Sequence, residues 1–336
     1  MGANEGDAVR VAGIDCGTNS IRLMVADVRV DGMSVVVPRI MHVIRLGQDV
    51  DRTHRFAPDA LERAYTAAGE FAGVLDEHGV DRANVRFVAT SATRDAENRE
   101  EFEDSIEAIL GVRPDVIPGT EEASLSFLGA TSAETDDSGA PFMVVDLGGG
   151  STELVLGGAG VDSRRVRAAF SMNIGSVRMT ERHLVSDPAS DDQIAQAVAD
   201  IDLHIDEAFG TVPAGSVGTL IGVSGTVTTM SAIAQGLRVY DRKAIDGVRI
   251  GIDQARTACG RVLRMTRAER REYPVIHPGR VDVIGGGALV WSRVLERVRA
   301  AVAADGRTLD SYVASEHGLL DGIVLDLGRR RLAERA

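Results

Sequence analysis

Two stretches of this 336-residue chain lie over one another at a constant offset of 131 residues. Val11-Ala12-Gly13-Ile14-Asp15-Cys16-Gly17-Thr18-Asn19-Ser20-Ile21-Arg22-Leu23 falls on Phe142-Met143-Val144-Val145-Asp146-Leu147-Gly148-Gly149-Gly150-Ser151-Thr152-Glu153-Leu154. Each copy reads as an apolar run, an acid, a loop of small residues and a second strand. A strand thus delivers a carboxylate to the tip of a tight hairpin. Glycine lets other backbone come close, and the loop's N–H groups and hydroxyls can cradle a phosphate. In a P-loop or Rossmann turn the loop runs into a helix; here both loops run into strands. A hairpin built twice, once near the start of each half, predicts two similar domains facing each other across a cleft, each contributing one phosphate loop.

The remaining pattern is of strands alternating with helices, which implies an α/β fold in both halves. Apolar runs at 9–15, 21–28, 33–46, 85–90, 142–146, 152–156, 220–223 and 309–313 predict strands, with Pro38 marking an edge or a bend. Helical spacing predicts helices over 58–77, 98–110, 121–130, 176–184, 191–208, 227–234, 252–265, 281–303 and 316–327. Residues 132–141, with Glu134, Asp136, Asp137, Ser138 and Gly139, read as a surface linker. Domain one is expected over 1–131, with domain two following from 132.

Length alone suggests two domains, or three. The formal net charge of −13 argues against nucleic acid as a partner, and a polyanionic substrate would need local positive charge and metal to hold it. Cys16 and Cys259 are too few for a disulfide framework. Residues 1–10 carry Glu5 and Asp7 and no long apolar run, so no signal peptide is expected. No stretch approaches the roughly 18 apolar residues of a membrane span. A cytoplasmic protein without membrane association is the expectation.

The hairpins, with Gly222-Val223-Ser224-Gly225-Thr226, resemble the phosphate and nucleoside motifs of the actin-like (ribonuclease H-like) ATPase superfamily. More narrowly, the chain resembles the exopolyphosphatase/guanosine pentaphosphate phosphohydrolase (Ppx/GppA) family. The matching pieces are the Asp15–Ser20 loop, the run from Ala89 through Arg94 to Asn98, Gly119-Thr120-Glu121-Glu122-Ala123, the Asp146–Leu154 hairpin, the run from Gly175 through Arg178 to Glu181, Gly225-Thr226 and Asp282-Val283-Ile284-Gly285-Gly286-Gly287. They follow the family's order over nearly the whole chain and fit its short, two-domain form, and the resemblance implies that a terminal helix at about 316–336 belongs with domain one, leaving domain two over 132–315.

This resemblance implies hydrolysis of a terminal phosphoanhydride. Glu122 is the implied activator of the attacking water, and Glu121 a supporting partner or metal ligand. The residues alone also allow both acids simply to favour the positive end of a helix. Arg94 matches the family's substrate arginine, its guanidinium a planar fork for phosphate oxygens. Arg22, at the position equivalent to Glu153, can reach phosphate or form a surface salt bridge. Gly17, Thr18, Asn19, Ser20, Gly148, Gly149, Gly150, Ser151, Gly225 and Thr226 would supply donors. Asp146 and Glu153 suit magnesium, which takes few protein oxygens beside water and phosphate; Asp15 is a further candidate. Manganese is the alternative divalent ion, with a monovalent cation such as potassium in addition.

The expected substrate is polyphosphate, with pppGpp as the close alternative handled by the same machinery. An ATP-dependent kinase and a non-catalytic sensor of either polyanion are the readings of other classes. Homodimerisation is common in the family. Cys16 and Cys259 read as small core residues. Arg261, Arg264, Arg267, Arg270 and Arg271 read as a solvated helix face or as a guide for a long polyanion.

Overall fold

The computed structural model describes residues 8–132 and 137–335; Glu134 and Asp136 of the expected linker lie outside them. The chain divides into two compact units. Unit one runs up to Gly129 and takes up the chain again from Leu319; unit two is Ala130–Gly318.

In unit one, β1 (Val9–Cys16), β2 (Ser20–Arg29) and β3 (Gly32–Val43) are followed by α1 (Val50–Thr53), α2 (Pro58–Glu77), β4 (Val85–Ala89), α3 (Ser91–Asp95), α4 (Arg99–Leu110), β5 (Asp115–Val116) and α5 (Gly119–Ser132). The sheet order is β3-β2-β1-β4-β5, so the strand carrying Pro38 lies at an edge, where a missing N–H costs no ladder bond. The first three strands pair antiparallel, and β4 and β5 run parallel to β1.

Strand alternation divides the apolar residues between two faces. Ala12, Ile14, Cys16, Ile21, Leu23 and Val25 form one core with Leu61, Phe71, Phe102 and Ile106 of α2 and α4. Helix α2 forms because Leu61, Ala64, Ala68, Phe71 and Leu75 recur at helical spacing behind Pro58 at its first position. Helix α4 ends where Gly111 adopts φ +75° and returns its N–H to Glu107. On the opposite face Val9, Val11, Met24, Ala26 and Val28 pack with Leu320, Val324 and Leu327, and Val88 packs with Leu125 and Ile323. That face therefore receives α5 and the last helix, α13 (Leu319–Arg335).

Unit two contains β6 (Phe142–Leu147), β7 (Thr152–Gly157), β8 (Val166–Met172), α6 (Ser176–His183), α7 (Asp191–Thr211), β9 (Thr219–Val223), α8 (Ser224–Ala234), α9 (Arg242–Ile245), β10 (Arg249–Gly251), α10 (Ile252–Arg264), α11 (Arg267–Arg271), α12 (Ile284–Ala304) and β11 (Ser311–Ala314). Its sheet order is β10-β11-β9-β6-β7-β8. The duplication extends beyond the hairpin. In both units an antiparallel three-strand meander is joined by a strand parallel to its first member, β4 on β1 and β9 on β6. Met143, Val145, Leu154 and Leu156 face a core filled from α8, α10 and α12, with Trp291 against Tyr312 edge to face at 5.0 Å.

Candidate active site

The two hairpins match in hydrogen bonding as well as in sequence. Gly17 N–H donates to the Ser20 carbonyl at 3.0 Å, and Gly148 N–H to the Ser151 carbonyl at 3.0 Å. Carbonyls of the first loop are taken up by the chain after β3: Asn19 accepts from Ile44 and Arg45, and Thr18 from Gly47. Those of the second are taken up by the start of α6: Gly148 accepts from Ser176, and Gly149 from Val177 and Arg178. Arg178 Nε donates to the Gly150 carbonyl at 2.8 Å. With their carbonyl oxygens engaged this way, what the loops can offer an anion is N–H and hydroxyl groups. Gly17, Asn19, Gly148 and Gly149 are partly exposed, whereas Thr18, Ser20, Gly150 and Ser151 are buried.

The flanking charges differ between the copies. Asp15 stands directly across the ladder from Arg22, and Arg22 Nη1 donates to its Oδ2 at 2.7 Å. The arginine side chain is 18% exposed, so this is a half-buried pair inside the hairpin and not a surface bridge. Asp146 stands directly across from Glu153. Both carboxylates are buried on one face of the sheet. Asp146 Oδ1 accepts from the Ser224 hydroxyl, and Glu153 Oε1 from the Ser171 hydroxyl at 2.8 Å. Like charges directly opposite each other destabilise a sheet, and a divalent cation there would relieve that repulsion. The donor set is hard oxygen, the kind magnesium takes. Among the described residues no three His, Cys, Asp or Glu side chains gather to hold a metal on their own. Water and phosphate oxygens would have to complete the shell.

Unit one also carries the glutamate pair. Pro118 accepts from the amides of both Glu121 and Glu122, which opens α5. Glu122 is buried, and its Oε2 accepts from Arg94 Nη1 at 2.7 Å. The same guanidinium nitrogen donates to the Ile117 carbonyl at 3.0 Å. A five-residue helix following β4 therefore delivers Arg94 to Glu122. Helix α5 covers the sheet face that carries Asp15 and Arg22, because Val88, the ladder partner of Asp15, packs with Leu125 of α5. Glu121 turns elsewhere: its Oε1 accepts from Arg86 Nη2 at 2.6 Å.

The third motif sits at the β9–α8 turn. Ser224 has φ +74°, a left-handed conformation that a non-glycine residue seldom adopts. In this position its hydroxyl meets Asp146. Arg280 lies directly on Gly225, where a Cβ would come within 1.7 Å of its Nη1. Thr226 is buried against Gly287 of α12, where a Cβ would stand 2.6 Å from its Oγ1. Ser224, Ser171, Arg86, Arg178 and Arg280 were not among the candidates from sequence. Ser224, Arg178 and Arg280 lie within or beside quoted motifs, so their neighbourhood was a usable signal. Ser171 lies on a strand the periodicity did not reveal.

The arginine cluster divides. Arg270 is buried, donating to the carbonyls of Val262, Leu263 and Val281, and so departs from the expected solvated face. Cys16 and Cys259 are buried thiols. Burial, then the charge of Asp15, pushes the Cys16 thiol up, and burial pushes Cys259 up to about 12. No helix among the described residues is long and apolar enough to cross a membrane.

The chain as a whole resembles known proteins. It is 44% identical over 326 residues to exopolyphosphatase 2 of Mycobacterium tuberculosis, covering 95% of this chain and 98% of that one. The crystal structure of an exopolyphosphatase-like protein, 69% identical, superimposes with a TM-score of 0.95 over 97% of this chain and 99% of that one. A Ppx/GppA family member from Aquifex aeolicus, 26% identical, gives 0.77 over 98% and 99%. The Ppx/GppA phosphatase family itself matches residues 24–327, which take in the Glu121–Glu122 pair, the whole second hairpin and the Ser224 turn. With that span matched and both duplicated sheets in place, the chain belongs to the Ppx/GppA phosphatase family.

Proposed function

We propose that this chain is an exopolyphosphatase, hydrolysing the terminal phosphoanhydride of inorganic polyphosphate and releasing orthophosphate. The observation that carries this reading is the buried Glu122 carboxylate held by Arg94 at 2.7 Å beside the first hairpin. The names of the relatives described above support the same substrate class.

Glu122 acts as the general base. It accepts a proton from water as the water oxygen bonds to the terminal phosphorus and the bridging P–O bond breaks. The shortened chain leaves as an oxyanion. Arg94 orients the carboxylate and presents fixed positive charge to the transferred phosphoryl group. Arg22, its charge balanced by Asp15, does the same at the first loop. Thr18 and Asn19 contribute N–H donors at that loop, and Gly149 and Gly150 can do so at the second. Such a reaction needs little covalent participation by protein, only alignment and neutralisation of oxygen charge.

Asp146 and Glu153 are the residues proposed to hold magnesium. When bound, it neutralises phosphate oxygens. Ser224 and Ser171 keep the two carboxylates oriented. The cytoplasm is the proposed compartment, where both cysteines remain thiols.

The test is orthophosphate release from polyphosphate, with magnesium, by the parent and Glu122→Gln. The variant is expected to lose about 10²–10⁴-fold in kcat, the range for removal of a general base. pppGpp in the same assay is expected to be the poorer substrate. Parent-like turnover by Glu122→Gln defeats the assignment of the base, and no phosphate release by the parent from either substrate defeats the activity.

A further inference from the structure

The two glutamates that open α5 are each held by an arginine from the same short segment, β4 and the helix after it. Arg94 takes Glu122, and Arg86 takes Glu121. Arg86 sits on β4 opposite Gly13, so it points to the face covered by α5 and α13. Its side chain is only 12% exposed. It contacts three carboxylates from three elements: Glu121 of α5 at 2.6 Å, Asp115 of β5 at 2.7 Å and Asp326 of α13 at 3.1 Å. Burial opposes its charge, but the bonds to Glu121 and then Asp115 outweigh this and hold the guanidinium more firmly protonated than usual.

Successive residues of a helix point about 100° apart. Holding Glu121 from one side and Glu122 from another therefore fixes the rotation of the first turn of α5, which a single contact cannot do. The guanidinium spreads its donors over a rigid planar fork, so this one side chain reaches all three acceptors without rearranging, Nη2 serving Glu121 and Asp115 and Nη1 serving Asp326. Without it, Glu121 and Asp115 are left facing each other beside Asp326, which keeps its pair with Arg330 at 2.8 Å. Their repulsion falls on the turn that carries the base.

We propose that Arg86, acting through Glu121, is a positioning residue for Glu122. Arg86 sets where the carboxylate stands and touches no reacting atom. This inference rests on Glu122 being the base.

The experiment measures kcat and KM for polyphosphate hydrolysis, together with thermal unfolding, for the parent, Arg86→Gln, Arg86→Lys, Glu121→Gln, Arg86→Gln/Glu121→Gln and Glu122→Gln. Misplacing a catalytic group by about 1 Å costs on the order of 10²-fold. Arg86→Gln and Glu121→Gln are each expected to lower kcat by about 10- to 100-fold, with KM within about twofold of the parent. The double variant should be no slower than the slower single one, because both remove one device. Arg86→Lys, which keeps the charge but not the fork, should recover part of the loss.

If Arg86→Gln or Glu121→Gln unfolds at lower temperature yet keeps parental kcat, Arg86 is a structural residue only and the proposal falls. Losses that multiply in the double variant also overturn it. If Arg86→Gln does not fold, Glu121→Gln and Arg86→Lys decide by the same criteria. Glu122→Gln separates the two readings: parental turnover there removes the base assignment, whereas an inactive Glu122→Gln beside an unaffected Glu121→Gln removes only the positioning role.

Discussion

A methyl group at Gly175 should disable the second hairpin without touching any charged residue. Gly175 is the N-cap of α6, with φ −162°, extended backbone that any residue adopts, so the conformation itself does not demand glycine. Space does. A Cβ there would stand 2.4 Å from the Gly149 carbonyl oxygen, 2.5 Å from its carbon and 2.8 Å from the Gly150 nitrogen. All three are main-chain atoms of the loop and cannot rotate aside. Ordinary contact distance requires the loop and α6 to separate by about 1 Å. That strains the bonds from Ser176 to Gly148 and from Val177 to Gly149, at 3.0 and 2.8 Å. Overpacking of this kind costs about 1–3 kcal/mol. For a unit of this size, each kcal/mol shifts Tm by about 2–4 °C. Gly175→Ala is therefore expected to melt several degrees lower and to lose about 10²-fold in kcat/KM for polyphosphate. Gly69→Ala serves as the control: a Cβ at this exposed position in α2 meets nothing within 4 Å, and helix propensity should raise stability by up to about 1 kcal/mol. A Gly175→Ala protein with parental Tm and parental kcat/KM would refute the steric argument.

Ser224 combines a left-handed backbone with a hydroxyl on Asp146. Ser224→Gly and Ser224→Ala should lose activity alike, but the glycine variant should be the more stable by about 1 kcal/mol because it adopts positive φ without strain; equal melting temperatures would dismiss the strain. The Asp246 carboxyl is held below the usual carboxylate range, chiefly by the hydrogen bond from His317 and further by the Glu316 N–H at 2.9 Å. Because its folded value is the lower, the unfolded chain binds more protons between the two values. The stabilisation is complete above the ordinary carboxylate pKa of about 3.9 and is lost as pH falls through the folded value. Asp246→Asn should thus cost about 1 kcal/mol near neutral pH, the low end for a half-exposed charged partner, and the gap should close in acid; thermal melts of both proteins across pH check it.

The hairpins were legible because the chemistry that makes them is local. An apolar run, an acid and a glycine loop define strand, carboxylate and turn within about a dozen residues, and the second copy reinforces the first. The helix over 58–77 was equally plain from its spacing and Pro58. Strand β8 was not, since Val166-Arg167-Ala168-Ala169 alternates poorly and its outer positions are exposed. With β8 went Ser171, the partner of Glu153. Helices α3 and α11 span five residues each, too short for periodicity to register. Arg86 was illegible for a different reason. Its three acids lie 29, 35 and 240 residues away, and only the folded sheet brings them to one nitrogen fork. The same holds for Arg270, whose carbonyl partners come from a helix end and a loop and leave no trace in composition.

The chain's route through its two units fixes an order of assembly. Val9, Val11, Met24, Ala26 and Val28 are synthesised first, yet their covering side chains, Leu320, Val324 and Leu327, emerge only after all of Ala130–Gly318. The fit is close as well as late, because a Cβ at Gly328 would stand 2.4 Å from Val28. During translation the first unit must wait with the part of that face beneath α13 bare, α5 alone being available to it, while the second, uninterrupted in sequence, can close on its own. A nascent chain stalled short of Leu319 would therefore expose that apolar surface to chaperones or to aggregation.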